Sequence, residues 1–316
     1  EIDENDAFWN DGVGWDSVGV HRFLGDPFTG IFDGNDHTIS NLYVRKTGDQ
    51  SAEYHGGLFG GLRDTSVKNV KFTSVNIQTR GLQGALAGSY FIEGNTNQII
   101  ENIHMDGLFG HNGESLTQPT GGIIGLIETD TSASLAISNV TAEFEFSGGQ
   151  QDERIGGILG LATINGPLIL NQSSTQVDIV AGLLLGGIVG HVDFMSNSAS
   201  LEIFNCYSNF VLSGDGSIAG IAGYIGTDED VGSETIISNC LLAGNVSGED
   251  NLGGVFGSYI IRDDAENGNL TQHTLTATDI VFNGSISHNF NNSPNYSGGA
   301  IGRTRINDSQ ELTVTL

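Results

Sequence analysis

The chain has 316 residues, of which 38 are acidic and 11 are basic, so its formal net charge is −27 at pH 7. This charge makes nucleic acid and anionic membrane surfaces poor partners, because both attract positive charge. It favours solubility at high salt, cation binding or a basic partner. No stretch approaches the roughly 20 apolar residues that membrane insertion requires.

The amino-terminal residues 1–45 are interpreted as a cap followed by a first, variant coil. Residues 1–19 are irregular and acidic, and they carry both tryptophans, Trp9 and Trp15. The segment that follows places Gly30-Ile31-Phe32-Asp33 where later units carry a glycine-rich phrase, with Asn41 downstream of it. We therefore expect this part of the chain to close one end of a stack that residues 46–310 continue.

A five-residue phrase, Gly-Gly-apolar-apolar-Gly in most copies, returns along residues 46–310. Its copies occupy residues 56–60, 84–88, 121–125, 156–160, 186–190, 219–223, 253–257 and 298–302. The final glycines of successive copies are 28 to 45 residues apart. A period of this size is typical of stacked units, none of which can bury its apolar face alone. The repeat therefore predicts a single domain over residues 1–316.

Two further segments recur between the glycine phrases. The first is a short apolar run interrupted by Asn or Asp, at Asn41, Asn69, Asn102, Asn139, Asn171, Asn205, Asn239 and Asp279. The second is a looser run whose apolar residues alternate with others, at Phe144 and Phe146, Val177 and Ile179, and Phe210 and Leu212. Three short strands per unit, rich in β-branched and aromatic residues, predict an all-β, right-handed parallel β-helix of about nine coils. Residues 311–316 are read as the start of the last coil.

Stacking explains these residue types, because equivalent positions of successive coils lie above one another and form ladders. We expect apolar residues inside, asparagines at a corner, and glycines where the chain bends or adopts positive φ. Adjacent apolar residues such as Ile123 and Ile124 depart from strand alternation, which a bend at the following glycine would explain. The alternative is an exposed apolar stripe for docking, formed by Phe59, Ala87, Ile124, Leu159, Val189, Ala222, Phe256 and Ile301.

Residues 28–42, Phe-Thr-Gly-Ile-Phe-Asp-Gly-Asn-Asp-His-Thr-Ile-Ser-Asn-Leu, with the glycine phrases after them, resemble the GLUG-repeat proteins. The resemblance runs from about Trp15 to Arg303, with departures at Ala85, Gln172, Ala219 and Asp279. GLUG repeats occur in large secreted or surface-attached bacterial proteins, including adhesins and some extracellular peptidases. The resemblance implies an extracellular or cell-surface location, and it brings no catalytic residue to this chain.

The two cysteines, Cys206 and Cys240, occupy the same repeat position one coil apart. We interpret them as stacked, buried free thiols that act as small core residues. A disulfide between adjacent coils is the alternative, because the separation of two coils can suit one. A metal site is disfavoured, since no histidine or third cysteine occupies the same position of the repeat.

Calcium is the cofactor that the acidic loops favour. The candidate ligands lie between strand landmarks, at Asp228, Glu229, Asp230, Asp263, Asp264 and Glu266. Glu249-Asp250 and the turn Asp33-Gly34-Asn35-Asp36 offer further oxygen ligands. Calcium takes six to eight oxygens, and a single acidic loop seldom supplies them all. A solvated acidic surface without bound metal is therefore the alternative.

A catalytic site has only weak support in the sequence. Glu143 and Glu145 flank Phe144 and should project from one face about 7 Å apart, a spacing that suits acid and base roles. Outward polar residues that alternate with inward phenylalanines are, however, the pattern of any half-buried strand. The groups that a polysaccharide lyase would use are scattered over different phases of the repeat, at Arg80, His104, Arg154 and Tyr207.

The function favoured by the sequence is a non-catalytic extracellular or cell-surface β-solenoid that acts in adhesion or as a structural stalk. Its partners would be a surface glycan, a protein or copies of itself, with no nucleic acid and no membrane insertion. A carbohydrate-active enzyme and a self-assembling filament or surface-layer subunit are the alternatives. Because strand edges invite pairing, we also expect Leu312–Leu316 to contact another chain or to continue into further sequence.

Overall fold

The computed structural model of the chain describes residues 13–45, 55–94, 96–110, 118–130, 132–147, 154–227, 231–261, 272–288, 296–305 and 311–315. These residues form β-strands joined by turns, with no helix among them that could cross a membrane. The strands are two to seven residues long in much of the chain, and they are longer where one strand passes around a corner. The fold is therefore all-β over the described ranges, as the residue pattern predicts.

In chain order the strands are β1 (Phe28–Ser40), β2 (Tyr43–Arg45), β3 (Phe59–Gln78), β4 (Ala87–Ile92), β5 (Gln98–Gly110), β6 (Thr120–Gly121), β7 (Ile124–Thr129), β8 (Leu135–Ser147), β9 (Arg154–Gly156), β10 (Leu159–Ile164), β11 (Pro167–Asn171), β12 (Ser174–Val180), β13 (Leu184–Gly186), β14 (Val189–Phe194), β15 (Ser200–Phe204), β16 (Tyr207–Gly214), β17 (Ser217–Ala219), β18 (Ala222–Thr227), β19 (Ser233–Gly248), β20 (Asn251–Gly253), β21 (Phe256–Ile260), β22 (Gln272–His288), β23 (Tyr296–Gly298), β24 (Ile301–Arg305) and β25 (Glu311–Thr315).

The strands assemble into a parallel β-solenoid. Each strand pairs in parallel with the equivalent strand one repeat further along the chain, as β8 does with β12 and β12 with β16. The larger sheet contains 19 of the described strands, and β6, β9, β13, β17, β20 and β23 form a six-stranded second sheet. The six strands of the second sheet correspond to about six turns of the solenoid, and the predicted count of nine coils is not confirmed. The terminal strand β25 pairs with β22, so residues 311–315 form a strand of the stack as expected.

The glycine phrase is a corner between two strands rather than part of one strand. In residues 184–214 the chain forms four strands, β13 to β16, where three were predicted. The extra division falls inside the phrase, between Gly186 and Val189, so the bend precedes the last glycine. This bend turns both apolar residues inward, and Ile123 and Ile124 are fully buried. The alternative of an exposed apolar stripe is wrong, since Phe59, Leu159, Val189 and Phe256 are also buried.

Close approach between coils, rather than positive φ, explains the second glycine of the phrase. A Cβ atom on Gly157 would lie 2.1 Å from the carbonyl oxygen of Gly187, and one on Gly187 would lie 2.3 Å from that of Gly220. Neither glycine is among the residues with positive φ. At these two levels the coil therefore rests directly on the backbone of its neighbour, and a side chain there would push the two coils apart.

The interior consists of apolar ladders in register. One ladder runs through Ile100, Ile137, Leu170, Ile203 and Ile237, all fully buried. A second ladder contains the third residues of three glycine phrases, Ile123, Ile158 and Ile188, because the backbone N–H of each of the first two donates to the carbonyl of the next. The core therefore runs along the whole stack, and the outward strand positions remain for function.

The asparagine ladder exists, but its backbone register differs from the prediction at Gln172. Asn102 donates to Asn69 at 2.8 Å, and Asn139 donates to Asn102 at 2.6 Å. In the next coil Asn171 pairs with Ser138, so Gln172 takes the backbone position and its positive φ of 51°. The side chain of Asn171 still belongs to the amide ladder, because its Oδ1 accepts a hydrogen bond from Asn205 Nδ2 at 3.1 Å. Asp279 does substitute for asparagine, with φ 54°.

The first coil is also aligned differently from the prediction. Phe32 pairs with Val67 and therefore belongs to the strand after the glycine corner. Val18, bridged to Phe59, stands at the glycine-phrase position instead. Asp33, not Asn41, begins the amide ladder, because its Oδ1 accepts a hydrogen bond from Asn69 Nδ2 at 3.0 Å. Trp15 Nε1 donates to the carbonyl of Leu58 at 3.0 Å, so this tryptophan does pack over the first coil. Trp9 lies outside the described residues.

Candidate functional site: an acidic and apolar sheet face

The six residues proposed as calcium ligands lie outside the described residues: Asp228, Glu229, Asp230, Asp263, Asp264 and Glu266. Within the described part of the chain, no group of three or more His, Cys, Asp or Glu side chains is arranged to hold a metal ion. Calcium binding by the two acidic loops therefore stays a prediction.

The acidic turn at residues 33–36 has a structural role in the described chain. Asp33 Oδ1 accepts hydrogen bonds from Asn69 Nδ2 at 3.0 Å and from the backbone N–H of Asn35 at 2.9 Å, and Lys68 Nζ lies 3.5 Å from Oδ2. These contacts, with the Asn69 hydrogen bond the strongest, lower the pKa of Asp33 below its ordinary value. Its carboxylate thus ends the amide ladder instead of standing open for a cation.

Glu143 and Glu145 both project outward from β8. They alternate with Phe144 and Phe146, whose side chains point into the core. The two phenylalanines are 4% and 2% exposed, whereas both glutamates are exposed. This alternation confirms the geometry predicted for the pair. The glutamates line a shallow groove of ≈ 450 Å³ that crosses β5, β8, β12 and β16.

The strands next to β8 bring further carboxylates beside the two glutamates. In the register of the sheet, Asp106 lies directly opposite Glu143, and Asp178 lies directly opposite Glu145. Like charges at directly opposite positions destabilise a sheet. The negative charge of Asp106 is stabilised in part, because its Oδ1 accepts a hydrogen bond from the Ser74 N–H at 2.8 Å. Among the described residues, no basic side chain forms an ion pair with Glu143, Glu145 or Asp178.

The same face exposes a group of large apolar side chains. Leu108 is 50% exposed, Val211 is 46% exposed, and both line the groove. Further exposed apolar side chains lie on this face of the neighbouring strands. Tyr207 on β16 pairs with Leu241 on β19, and Leu241 pairs with Val281 on β22. We call this surface the acidic–apolar face and define it by Asp106, Leu108, Glu143, Glu145, Asp178, Val180, Tyr207, Val211, Leu241 and Val281.

The groups considered for a lyase do not meet in one site among the described residues. His104 lies at the edge of the acidic–apolar face, with Nε2 3.9 Å from Asp106 Oδ2. Tyr207 lies on that face, whereas Arg154 lies on β9 in the second sheet. Arg154 Nε donates to His191 Nδ1 at 3.1 Å, and His191 Nε2 lies 3.0 Å from Asp193 Oδ2. His191 is only 5% exposed, so this cluster joins the two sheets rather than facing solvent.

Sequence reasoning missed a second charged cluster, which is centred on Arg22. The Nη1 atom of Arg22 lies 2.7 Å from Asp130 and 3.2 Å from Glu93, and Nη2 lies 3.0 Å from Glu128. Burial raises the pKa of Glu128, and the nearby Arg22 charge opposes that rise. The guanidinium also lies over the rings of Phe23 and Phe91, 4.7 Å from each centroid. No local pattern predicts this contact, because Glu128 and Asp130 lie more than 100 residues beyond Arg22.

Cys206 and Cys240 are free and buried, at 3% and 2% exposure. They occupy adjacent levels, since the residues that follow them, Tyr207 and Leu241, are paired. The hydrogen bond between the two thiols and their burial raise the pKa of Cys206. Their interpretation as small core residues is confirmed.

The comparisons with known proteins give one short likeness. Halomucin from Haloquadratum walsbyi is 35% identical over 86 residues, which amount to 27% of this chain and 1% of halomucin. The chain therefore spans a very small part of that relative's length. No family model matches the chain, and no solved structure matches it.

Proposed function

We propose that this chain is a non-catalytic β-solenoid module of an extracellular or cell-surface protein of the GLUG-repeat type. It acts in adhesion or as a structural stalk, and it contacts a surface protein or glycan. The observation that supports this proposal best is the acidic–apolar face. Its Glu143, Glu145 and Asp178 form no ion pair with a basic side chain among the described residues, and exposed apolar patches of this kind mark interaction sites.

The architecture supports a role in spacing and display. Buried ladders of apolar residues and close contacts between glycines hold each coil against the next, so the module is a stiff stack. The proposal includes the finer features of the sequence prediction, namely nine coils and a right-handed turn. Nine coils at about 4.8 Å each would give a rod on the order of 45 Å long.

The likeness to halomucin supports an extracellular or surface location. The matched segment is 1% of halomucin, which agrees with a module carried within a much longer protein. Extracellular placement therefore remains part of the proposal.

A binding assay tests the module directly. The purified chain would be coupled to fluorescent beads, and bead retention would be measured on surfaces coated with proteins or with glycans. We expect saturable retention that free chain competes away. Retention no greater than that of beads carrying an unrelated acidic protein would contradict the proposal.

A carbohydrate-active enzyme is the second candidate, and the groove favours it in one respect. Glu143, Glu145 and Asp178 line a concave surface, and paired carboxylates perform glycoside hydrolysis. Incubation with acidic and neutral polysaccharides, followed by an assay for new reducing ends, distinguishes the two functions. Turnover that disappears in the Glu143→Gln and Glu145→Gln variants would replace the non-catalytic proposal.

A further inference from the structure

We propose that the acidic–apolar face binds an extended, basic segment of a partner protein in which Lys or Arg side chains are interspersed with apolar ones. This inference deepens the proposed function and rests on it, because it names the chemistry of the partner at the same face. The argument depends on three features of the face: unpaired charge, exposed apolar area and the shape of the groove.

The charge on the face requires a cationic partner. Asp106 opposes Glu143 and Glu145 opposes Asp178, so two like-charge pairs stand side by side on three adjacent strands. No Lys or Arg lies on β5, β8, β12 or β16. At the edge of the face, His104 of β5 lies 3.9 Å from Asp106 Oδ2 and pairs in the register with Lys71 of β3, so Glu145 and Asp178 carry the charge that is not balanced. A bound basic segment would reduce this repulsion, so binding and relief of strain occur together.

The apolar side chains require that the partner also carry apolar groups. Leu108 and Val211 border the groove at 50% and 46% exposure, and Tyr207, Leu241 and Val281 continue beyond it at 40%, 45% and 56%. A simple cation such as a polyamine would cover the carboxylates and leave these side chains in water. A polypeptide with both kinds of side chain would cover both.

The groove fits an extended segment. It spans four neighbouring strands, and three spacings of about 4.8 Å make it about 14 Å long. An extended chain rises about 3.3 Å per residue, so four or five residues fill that length.

A second copy of this chain is a poor occupant of the groove. Each copy carries a net charge of −27 and would place its own carboxylates against the carboxylates of the groove. Nucleic acid and anionic lipid are excluded by the same repulsion.

Fluorescence anisotropy with a labelled peptide tests the inference. The probe is a nine-residue peptide in which three lysines alternate with two leucines, flanked on both sides by Gly-Ser. One control peptide replaces the leucines by serine, and another replaces the lysines by glutamate. We expect saturable binding of the first peptide, weaker binding of the serine peptide and none of the glutamate peptide.

Two double variants with equal loss of charge provide the decisive comparison. Glu143→Gln with Glu145→Gln alters the groove, whereas Glu202→Gln with Glu234→Gln removes two carboxylates from β15 and β19 on another side of the stack. We expect the groove variant to weaken binding about fivefold, at the usual strength of exposed ion pairs, and the control variant to weaken it less than about twofold.

Glu143, Glu145 and Glu234 are exposed and Glu202 is half-buried, so the melting temperature verifies that each variant is folded. The groove variant should melt at or above the wild-type temperature, because it removes like-charge pairs. Equal weakening by both variants would show attraction to the overall charge and overturn the inference. Absence of peptide binding by the wild-type chain would also overturn it, and the proposed function would still be decided by bead retention and the reducing-end assay.

Discussion

Arg22 connects the amino-terminal segment to carboxylates from two successive levels of the stack. Its side chain is 17% exposed and lies within 3.2 Å of Glu93, Glu128 and Asp130. We expect Arg22→Gln to lower the free energy of unfolding by about 1 kcal/mol, since the carboxylates are partly solvated and screening weakens each pair. Urea denaturation measures this change.

Arg63→Gln is the matched control for that prediction. It removes the same charge, but Arg63 lies 3.9 Å from Glu93 and is 36% exposed. The loss of stability should be clearly smaller than for Arg22→Gln. Equal losses would show that the number of positive charges matters and the position of Arg22 does not.

His21 should make the folded state sensitive to mild acid. Burial, and to a lesser extent the charge of Arg22, lower the pKa of His21 from its ordinary 6.5. The unfolded chain regains the ordinary value and therefore binds a proton at a higher pH than the folded chain. The contribution of neutral His21 to stability is thus present above pH 6.5 and is lost as the pH falls through the folded pKa.

The measurement compares melting temperatures of the wild type and the His21→Gln variant over that pH range. The neighbouring His55, whose ring centroid is 5.1 Å from that of His21, is present in both chains. We expect the wild-type melting temperature to fall relative to the variant as the pH decreases. A difference that is independent of pH would refute the assignment.

At the scale of the elements, contacts between glycine backbones decide how closely the coils pack. Gly187 and Gly299 hold the same position in the phrase, but they face different surroundings. A Cβ atom on Gly187 would lie 2.3 Å from the carbonyl oxygen of Gly220, whereas one on Gly299 would meet nothing within 4 Å. We expect Gly187→Ala to cost about 3 kcal/mol of stability through backbone displacement, and Gly299→Ala to change it by less than about 0.5 kcal/mol. Chemical denaturation of both variants tests this contrast.

The inward and outward register of the strands can be tested with one substitution at two sites. Ile158 is fully buried in the corner ladder, whereas Ile99 on β5 is 45% exposed. Ile158→Asp buries an unpaired charge and should destabilise the stack by more than about 4 kcal/mol. Ile99→Asp adds the same charge at the surface and should have a small effect. Similar melting temperatures for the two variants would invalidate the register.

At the scale of the whole molecule, the net charge of −27 predicts a response to cations. If the acidic loops that contain Asp228, Asp230 and Asp263 bind calcium, calcium should raise the melting temperature by binding the folded state. Magnesium at equal ionic strength should raise it less, because it loses its water reluctantly and requires stricter geometry. Equal shifts with calcium, magnesium and sodium chloride would show general screening of charge instead.

Much of the fold was predictable because its determinants are local and repeated. The period of the glycine phrase, the alternation around Phe144 and Phe146, and the matched positions of Cys206 and Cys240 follow from residue order alone. Alternation assigns side chains to a face, and repetition assigns them to a ladder. The outward geometry of Glu143 and Glu145 was accessible in the same way.

What the tertiary structure alone decided is which residues stand next to one another across coils. A shift of one residue gave Gln172 the backbone position predicted for Asn171, although Asn171 still accepts the hydrogen bond from Asn205. In the first coil Asp33 accepts the hydrogen bond from Asn69 in place of Asn41. Such shifts depend on how the backbone turns each corner, which loop length does not reveal. The opposition of Glu145 to Asp178 and the convergence of carboxylates on Arg22 depend on the same register. They bring together residues far apart in the chain, and therefore no short segment of the sequence encodes them.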